Sequence, residues 1–145
     1  MGVKMFVRKC EISDVKEVYD LICELEDTSF IYANFEVAFN CKMKDKENYC
    51  ILAVEENSII GFLSLNINYQ LHHAGKVATI EELVVTGKYR SKGAGKLLLG
   101  SAIECAENNG CDVIELTSNF TRERAHNFYI KNGFEKGSYK FKMKL

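Results

Sequence analysis

The chain contains no proline and no tryptophan. Without proline, every turn and helix stop must be made with Gly, Asn, Asp or Ser, so glycines at strand and helix ends become informative. An excess of one charge is missing too. Nineteen Lys and Arg stand against twenty Asp and Glu, a formal net charge of -1. That balance excludes the broad basic footprint of a nucleic-acid binder or of a protein held to an anionic membrane surface. No run approaches the ~20 apolar residues of a membrane span, and Met1 to Arg8 lacks the long apolar stretch of a secretion signal. Repeats, low-complexity stretches and linkers are absent. So is any CxxC pair among the six cysteines, Cys10, Cys23, Cys41, Cys50, Cys105 and Cys111. Free thiols in a reducing cytoplasm are the expectation.

What is present is a chain of 145 residues with 47% apolar and 27% charged residues, enough for a single domain with one substantial core. Val3 to Val7 reads as a short strand. Ser13 reads as the N-cap of an amphipathic helix that aligns Val15, Val18, Tyr19, Ile22 and Leu25. A second helix is expected over Asn34 to Met43. Tyr49 to Glu55 and Ile59 to Tyr69 are β-branched, apolar stretches joined by Glu56-Asn57-Ser58, a hairpin pattern, and Lys76 to Thr86 is a third long strand. Gly93 to Asn109 is the clearest helix, with Gly110 placed as a left-handed cap. Asp112 to Leu116 reads as a buried strand and Arg122 to Asn132 as a helix stopped by Gly133. The alternation Lys140-Phe141-Lys142-Met143-Lys144-Leu145 predicts a last strand with a lysine face. This order predicts an α/β protein with helices on both faces of one sheet, and a ligand site where a strand feeds a helix.

The strongest local signal is Val84-Val85-Thr86-Gly87-Lys88-Tyr89-Arg90-Ser91-Lys92-Gly93-Ala94-Gly95-Lys96. A strand runs through a glycine-punctuated turn into a long helix, whose unpaired N–H groups and positive dipole end suit phosphate oxygens. The nucleotide-binding P-loop is excluded because Leu97 follows Gly95-Lys96 and Arg90 stands at the first glycine position. A dinucleotide fingerprint is excluded because Leu98 replaces its third glycine. What survives is R-x-x-G-x-G after a strand.

That segment resembles the acetyl-CoA-binding motif of the GNAT superfamily of N-acetyltransferases, Gln or Arg-x-x-Gly-x-Gly or Ala, and the element order resembles that family's. Leu21-Ile22-Cys23-Glu24-Leu25, Phe39-Asn40, Leu71-His72-His73, Glu82-Leu83-Val84-Val85, Glu115-Leu116-Thr117-Ser118-Asn119 and Ala125-His126-Asn127-Phe128-Tyr129 are similar to bacterial aminoalkylphosphonate N-acetyltransferases. The departures are Gly87, where many members have proline, Ile31-Tyr32-Ala33 and Glu36, where relatives carry His and Arg, and Thr79 in place of a Glu. The resemblance implies a mixed, mostly antiparallel twisted sheet with helices on both faces.

It also implies roles. The backbone around Leu83, Val84 and Val85 would hold the pantetheine arm, and Arg90, Ser91, Lys92, Gly93, Ala94, Gly95 and Lys96 would surround the pyrophosphate. Asn119 would contact the cofactor arm, with Phe128 packed beside the cofactor. Tyr129 matches the general acid that protonates the departing sulfur, Glu81 the base and Glu82 an acid that holds the acceptor ammonium. Because neighbouring strand residues point to opposite faces, only one of Glu81 and Glu82 is expected to line a given cavity. The phosphonate enzymes depend on a divalent metal, for which His72 and His73 are the candidates if the strand has ended there, as Gly75 allows. The implied partners are acetyl-CoA and a small primary amine. An aminoalkylphosphonate comes first, then a diamine, polyamine or aminosugar if Glu36, Glu81 and Glu82 line the pocket. A homodimer is compatible with the pattern. The reading from a different class is a non-catalytic acyl-CoA-binding module.

Overall fold

The structure, a computed structural model, describes residues 4–145. Five strands form one sheet in the order β1 (Met5–Lys9), β2 (Asn48–Glu55), β3 (Ser58–Gln70), β4 (Gly75–Val85) and β5 (Val113–Leu116). The first three pairings are antiparallel and β4–β5 is parallel. The expected mixed, mostly antiparallel sheet is therefore present. β1 begins at Met5, after Lys4, and ends at Lys9, later than the expected Val7; Val3 lies outside the described residues.

Alternation along β2 and β3 divides the core into two layers. Leu63, Leu65, Ile67, Ala78 and Ile80 pack beneath Leu98, Leu99, Ala102 and Ala106 of helix α3 (Ala94–Asn108). On the opposite face, Cys50, Leu52, Val54, Phe62 and Val84 meet Val18 and Leu21 of α1 (Val15–Glu26) and Phe39 of α2 (Tyr32–Lys44). Each fully buried Leu or Phe contributes about 1.5–3 kcal/mol by leaving water, so both helical layers are bound firmly to the sheet that carries the site. The fourth helix, α4 (Glu123–Lys131), joins the α3 layer through Phe128.

Left-handed backbone does the work that proline does elsewhere. Glu56 and Asn57 (φ 47° and 66°) make the tight turn between β2 and β3, and Gly110 and Gly133 (φ 76° and 97°) end α3 and α4 as expected. Two expectations fail. Ser13 does not cap α1; it sits inside a short 3-10 turn, Ile12–Asp14. There Asp14 takes two hydrogen bonds from Arg8 at 2.9 Å and one from the Glu11 N–H at 2.7 Å. The 3-10 turn thus moves the N-cap of α1 one residue on, to Asp14, whose carboxylate is held by Arg8 and Glu11 and does not cap the helix. The predicted strand Lys140–Leu145 does not form either. Residues 134–145 adopt neither helix nor strand, and Tyr139, Phe141, Met143 and Leu145 are exposed. Alternation is a local pattern and does not by itself make a strand; a ladder partner must also be engaged, and residues 134–145 engage none.

Candidate functional site

The site begins with an irregularity in β4. Ser64 of β3 pairs with Glu82, but Leu65 pairs with Ile80, so Glu81 is the extra residue of a β-bulge. The bulge breaks the alternation, and both Glu81 and Glu82 line one cavity of about 560 Å³ between α1, α2 and the sheet. The expectation that only one of them would do so is corrected by this single inserted residue.

The cavity has two kinds of wall. Val18, Ile22, Phe35, Phe39 and Phe62 supply the apolar side. The polar side follows β3, where Phe62-x-Ser64-x-Asn66-x-Asn68-x-Gln70 changes one sheet face from apolar to polar. Asn66 donates to Asn48 at 3.2 Å, Asn68 to Asn66 at 2.8 Å and Gln70 to Asn68 at 3.3 Å. Ser64, fully buried, hydrogen-bonds the Glu82 carboxylate, and the Glu82 N–H donates to Ser64 Oγ at 3.1 Å. Lys42 of α2 reaches across to place Nζ 2.6 Å from Glu81 Oε1 and 3.8 Å from Glu82 Oε1. Burial alone would lower the Lys42 pKa, but the hydrogen bond to Glu81 and the charges of Glu82 and Glu81 reverse that, and the net direction is upward. Sequence reasoning missed Lys42, Ser64 and the amide row. The alternating small polar residues in an otherwise apolar strand were the available signal.

On the other side of the bulge the sheet opens. Pairing of β4 with β5 runs from Val77–Val113 to Ile80–Leu116 and stops there. Among the described residues, the backbone of Glu81–Val85 has β3 on one side and no strand on the other. Leu83, Val84 and Val85 lie on this half-open stretch, where free N–H and C=O groups suit an extended ligand arm.

The glycine turn follows. Arg90 does not point free. Its Nε donates to Val85 O at 3.2 Å and its Nη2 to Glu24 Oε2 at 3.1 Å. Glu24 also takes the Thr86 hydroxyl at 2.8 Å and the Gly87 N–H at 2.9 Å. Ser91 and Gly93 adopt left-handed backbone (φ 64° and 94°), and Arg124 of α4 hydrogen-bonds the Ser91 hydroxyl. The first hydrogen bond of α3 runs from Leu97 N–H to Gly93 O at 3.0 Å, so the N–H groups of Ala94, Gly95 and Lys96 have no intrahelical acceptor. Lys92 rests over the Tyr89 ring at 5.8 Å. A Cβ on Gly95 would stand 3.4 Å from the Phe128 ring and 3.9 Å from Val85. The helix start, α4 and the open part of β4 therefore converge at Gly95.

Phe128 packs against the core and touches Tyr129, ring centroids 5.6 Å apart. Burial raises the pKa of Tyr129 above its ordinary value of 10.0, only partly countered by Arg122. Its hydroxyl therefore keeps a proton at neutral pH, as a proton donor must. Asn119 uses its side-chain oxygen locally, accepting from the Thr121 N–H at 3.0 Å and hydroxyl at 2.8 Å. Glu36 is exposed on α2 and does not line the cavity.

The histidines are elsewhere. Leu71–His73 is a 3-10 turn, so the strand has ended, and the two rings lie side by side with centroids 4.4 Å apart. Six residues of β3 separate Gln70 from Ser64, about 20 Å at ~3.4 Å per residue, so neither ring reaches Glu82. Glu115 approaches, with Oε2 3.6 Å from His73 Nε2. Among the described residues no three His, Cys, Asp or Glu groups could hold a metal ion together. The donor set among the described residues does not fit a metal at His72 and His73.

Comparison with known proteins agrees with this architecture. The pattern of the Acetyltransferase (GNAT) family matches residues 15–134. The aminoalkylphosphonate N-acetyltransferase of Salmonella typhimurium strain LT2 is 33% identical over 135 residues, which cover 93% of this chain and 88% of that protein. A solved structure described as a transcriptional regulator from Bacillus halodurans C-125 superposes with a TM-score of 0.89 at 27% identity, covering 99% of this chain and 100% of that one. An aminoglycoside N-acetyltransferase, AAC(6')-Iy, in complex with CoA shares the fold, with a TM-score of 0.88 at 16% identity over 100% and 97% of the two chains. Among the described residues, no helix is long and apolar enough to cross a membrane. The chain belongs to the GNAT family and is an acetyl-CoA-dependent N-acetyltransferase.

Proposed function

We propose that the chain moves the acetyl group of acetyl-CoA directly onto a small primary amine held in the cavity beside Glu81 and Glu82. The observation that carries this reading is the β4 bulge. It turns two carboxylates into one cavity on one side, and on the other the Leu83–Val85 stretch has no strand partner among the described residues. Pyrophosphate would sit on the N–H groups of Ala94, Gly95 and Lys96, beyond the turn from Arg90 to Gly93, with the pantetheine arm along β4. Asn119 and Phe128 flank that path.

An aliphatic amine with a pKa near ~10 is mostly protonated at neutral pH. Glu82, fixed by Ser64, holds the ammonium, and Glu81 takes its proton, directly or through one water. The neutral nitrogen then forms a C–N bond with the thioester carbonyl, and a β4 N–H receives the developing oxyanion. As the C–S bond breaks, Tyr129 protonates the leaving sulfur. It regains a proton from the nitrogen, which becomes the amide. No acyl-enzyme is needed. Burial raises the thiol pKa of Cys10, Cys50, Cys105 and Cys111, which keeps them protonated, the opposite of an activated nucleophile.

The Salmonella relative supports an aminoalkylphosphonate as an acceptor to examine first. A cytoplasmic location fits the free thiols, and a homodimer fits the exposed apolar row of residues 139–145. The test is CoA release from acetyl-CoA with a panel of small amines. Release confined to amine-containing reactions supports transfer. Binding of acetyl-CoA with no release from any amine would favour a non-catalytic module instead.

A further inference from the structure

Lys42 is itself a primary alkylamine, and the fold has already seated it in the cavity. It occupies the last turn of α2, where the helix dipole favours a cation, three residues after buried Phe39. Its four-carbon stem runs along the cavity wall, and its ammonium ends at the carboxylates of Glu81 and Glu82. With Asp45 at the exposed rim, three carboxylates and this single ammonium are the charged groups lining the cavity. The balance is negative, and its one cation is already engaged.

We propose that Lys42 is a built-in competitor for the acceptor. Its ammonium stands where the acceptor's ammonium must go, and the cavity accordingly selects cationic alkylamines over amines that carry an acid group. This rests on the assignment of Glu81 and Glu82 to the acceptor. When a cationic amine arrives, it takes the place between the two glutamates and Lys42 withdraws toward solvent, which releases Glu81 as the proton acceptor. A diamine fits best, because its second ammonium can lie toward Asp45 while its methylenes meet the apolar wall. A phosphonate or carboxylate at that end would face Asp45, Glu81 and Glu82 with no unengaged cation lining the cavity, a like-charge arrangement that disfavours binding. The departure from the phosphonate relative is thus written in the charge of the pocket.

The experiment compares three amines of equal chain length, 1,3-diaminopropane, propylamine and 3-aminopropylphosphonate, with CoA release measured in chelator and again in magnesium. The expected order of kcat/KM is diamine, then monoamine, then phosphonate, with the phosphonate at least about ten-fold below the diamine. Lys42→Met removes the competitor and keeps the apolar stem. Its KM for the diamine should fall by up to about five-fold, the size of a partly exposed ion pair, and its KM for acetyl-CoA should not change. Lys42→Arg keeps a competing cation, so its diamine KM should not show the fall expected of Lys42→Met. Fastest turnover of the phosphonate in either buffer, or a diamine KM that is unchanged or higher in Lys42→Met, overturns the proposal. Calorimetry of diamine binding separates this proposal from the transfer reading. Tighter binding to Lys42→Met without CoA release would sustain the role of Lys42 and sink direct transfer to an amine held beside Glu81 and Glu82.

Discussion

Ser64 and Glu82 bind one another across β3 and β4: the Glu82 N–H donates to Ser64 Oγ at 3.1 Å, and the Ser64 hydroxyl donates back to the Glu82 carboxylate. One fully buried hydroxyl thus closes the ladder beside the bulge and aims the carboxylate. Backbone position and side-chain direction are coupled through a single atom.

Ser64→Ala should therefore cost both stability and function. An unmade backbone hydrogen bond is worth about 1 kcal/mol net, so the denaturation midpoint should fall modestly. Acceptor KM should rise while acetyl-CoA KM stays constant, because the open edge of β4 lies on the other side of the bulge. Steady-state kinetics with each substrate varied separately reads both. Equal effects on the two KM values would mean that Ser64 supports the strand and does not aim Glu82.

Glu81 and Glu82 should separate kinetically. Glu81→Gln removes the proposed proton acceptor and should lower kcat by ~10²-fold or more. Glu82→Gln removes the ammonium partner and should act mainly on acceptor KM. The reverse pattern would exchange the two roles. Neither change should disturb acetyl-CoA binding.

Tyr129→Phe should lower turnover by ~10²–10⁴-fold and leave acetyl-CoA affinity nearly intact. No hydrogen-bond partner holds the hydroxyl among the described residues, and the ring contacts with Phe128 and Phe134 survive in Phe, so the variant should melt close to wild type. The acid form is the active one and burial raises its pKa above 10.0. Wild-type kcat should therefore persist to pH 10 and fall only above it. Unchanged turnover in Tyr129→Phe would remove this residue from the mechanism.

Two buried thiols set an alkaline limit on stability. Burial pushes Cys10 up to about 12 and Cys50 to about 11, from 9.0. The folded state holds these protons more tightly than the unfolded one, so the stabilisation is complete below pH 9 and declines as pH rises through the raised values. Denaturant midpoints measured from pH 7 to pH 11 should hold steady and then fall. A Cys10→Ala/Cys50→Ala variant should show a shallower decline, whatever its midpoint at pH 7.

Much of this was legible in the letters. The hairpin turn at Glu56-Asn57, the caps at Gly110 and Gly133 and the glycine turn into α3 are local, and local sterics fix them. The bulge was not legible, because nothing in Glu81-Glu82 shows which strand partner is skipped. It depends on the register against β3, a tertiary property, and with it went the correct count of carboxylates in the cavity. Lys42 was invisible for the same reason, since it meets its partners 39 and 40 residues later in the chain. The last strand was over-read, because alternation is a local property and pairing is not. For the paired histidines the strand ends as the metal reading required, but among the described residues no third donor joins a metal-holding group there, and a third ligand is a tertiary property.

Arg90 is the final case, a motif residue whose structural work differs from the obvious electrostatic one. Its guanidinium is tied to Val85 O and to Glu24, and Glu24 in turn gathers the Thr86 hydroxyl and the Gly87 N–H. The pair clamps the turn that presents the N–H groups of α3, so its effect on phosphate binding runs through loop order. Glu24→Ala and Arg90→Ala should each raise acetyl-CoA KM by a similar factor, and the double variant should be little worse than either, because both remove one clamp. Hydrogen exchange at residues 86–93 should speed up in both. If Arg90 instead bound phosphate itself, its loss would far exceed that of Glu24 and the two effects would not share one ceiling. Thermodynamic coupling between these two substitutions decides between a clamp and a direct ligand.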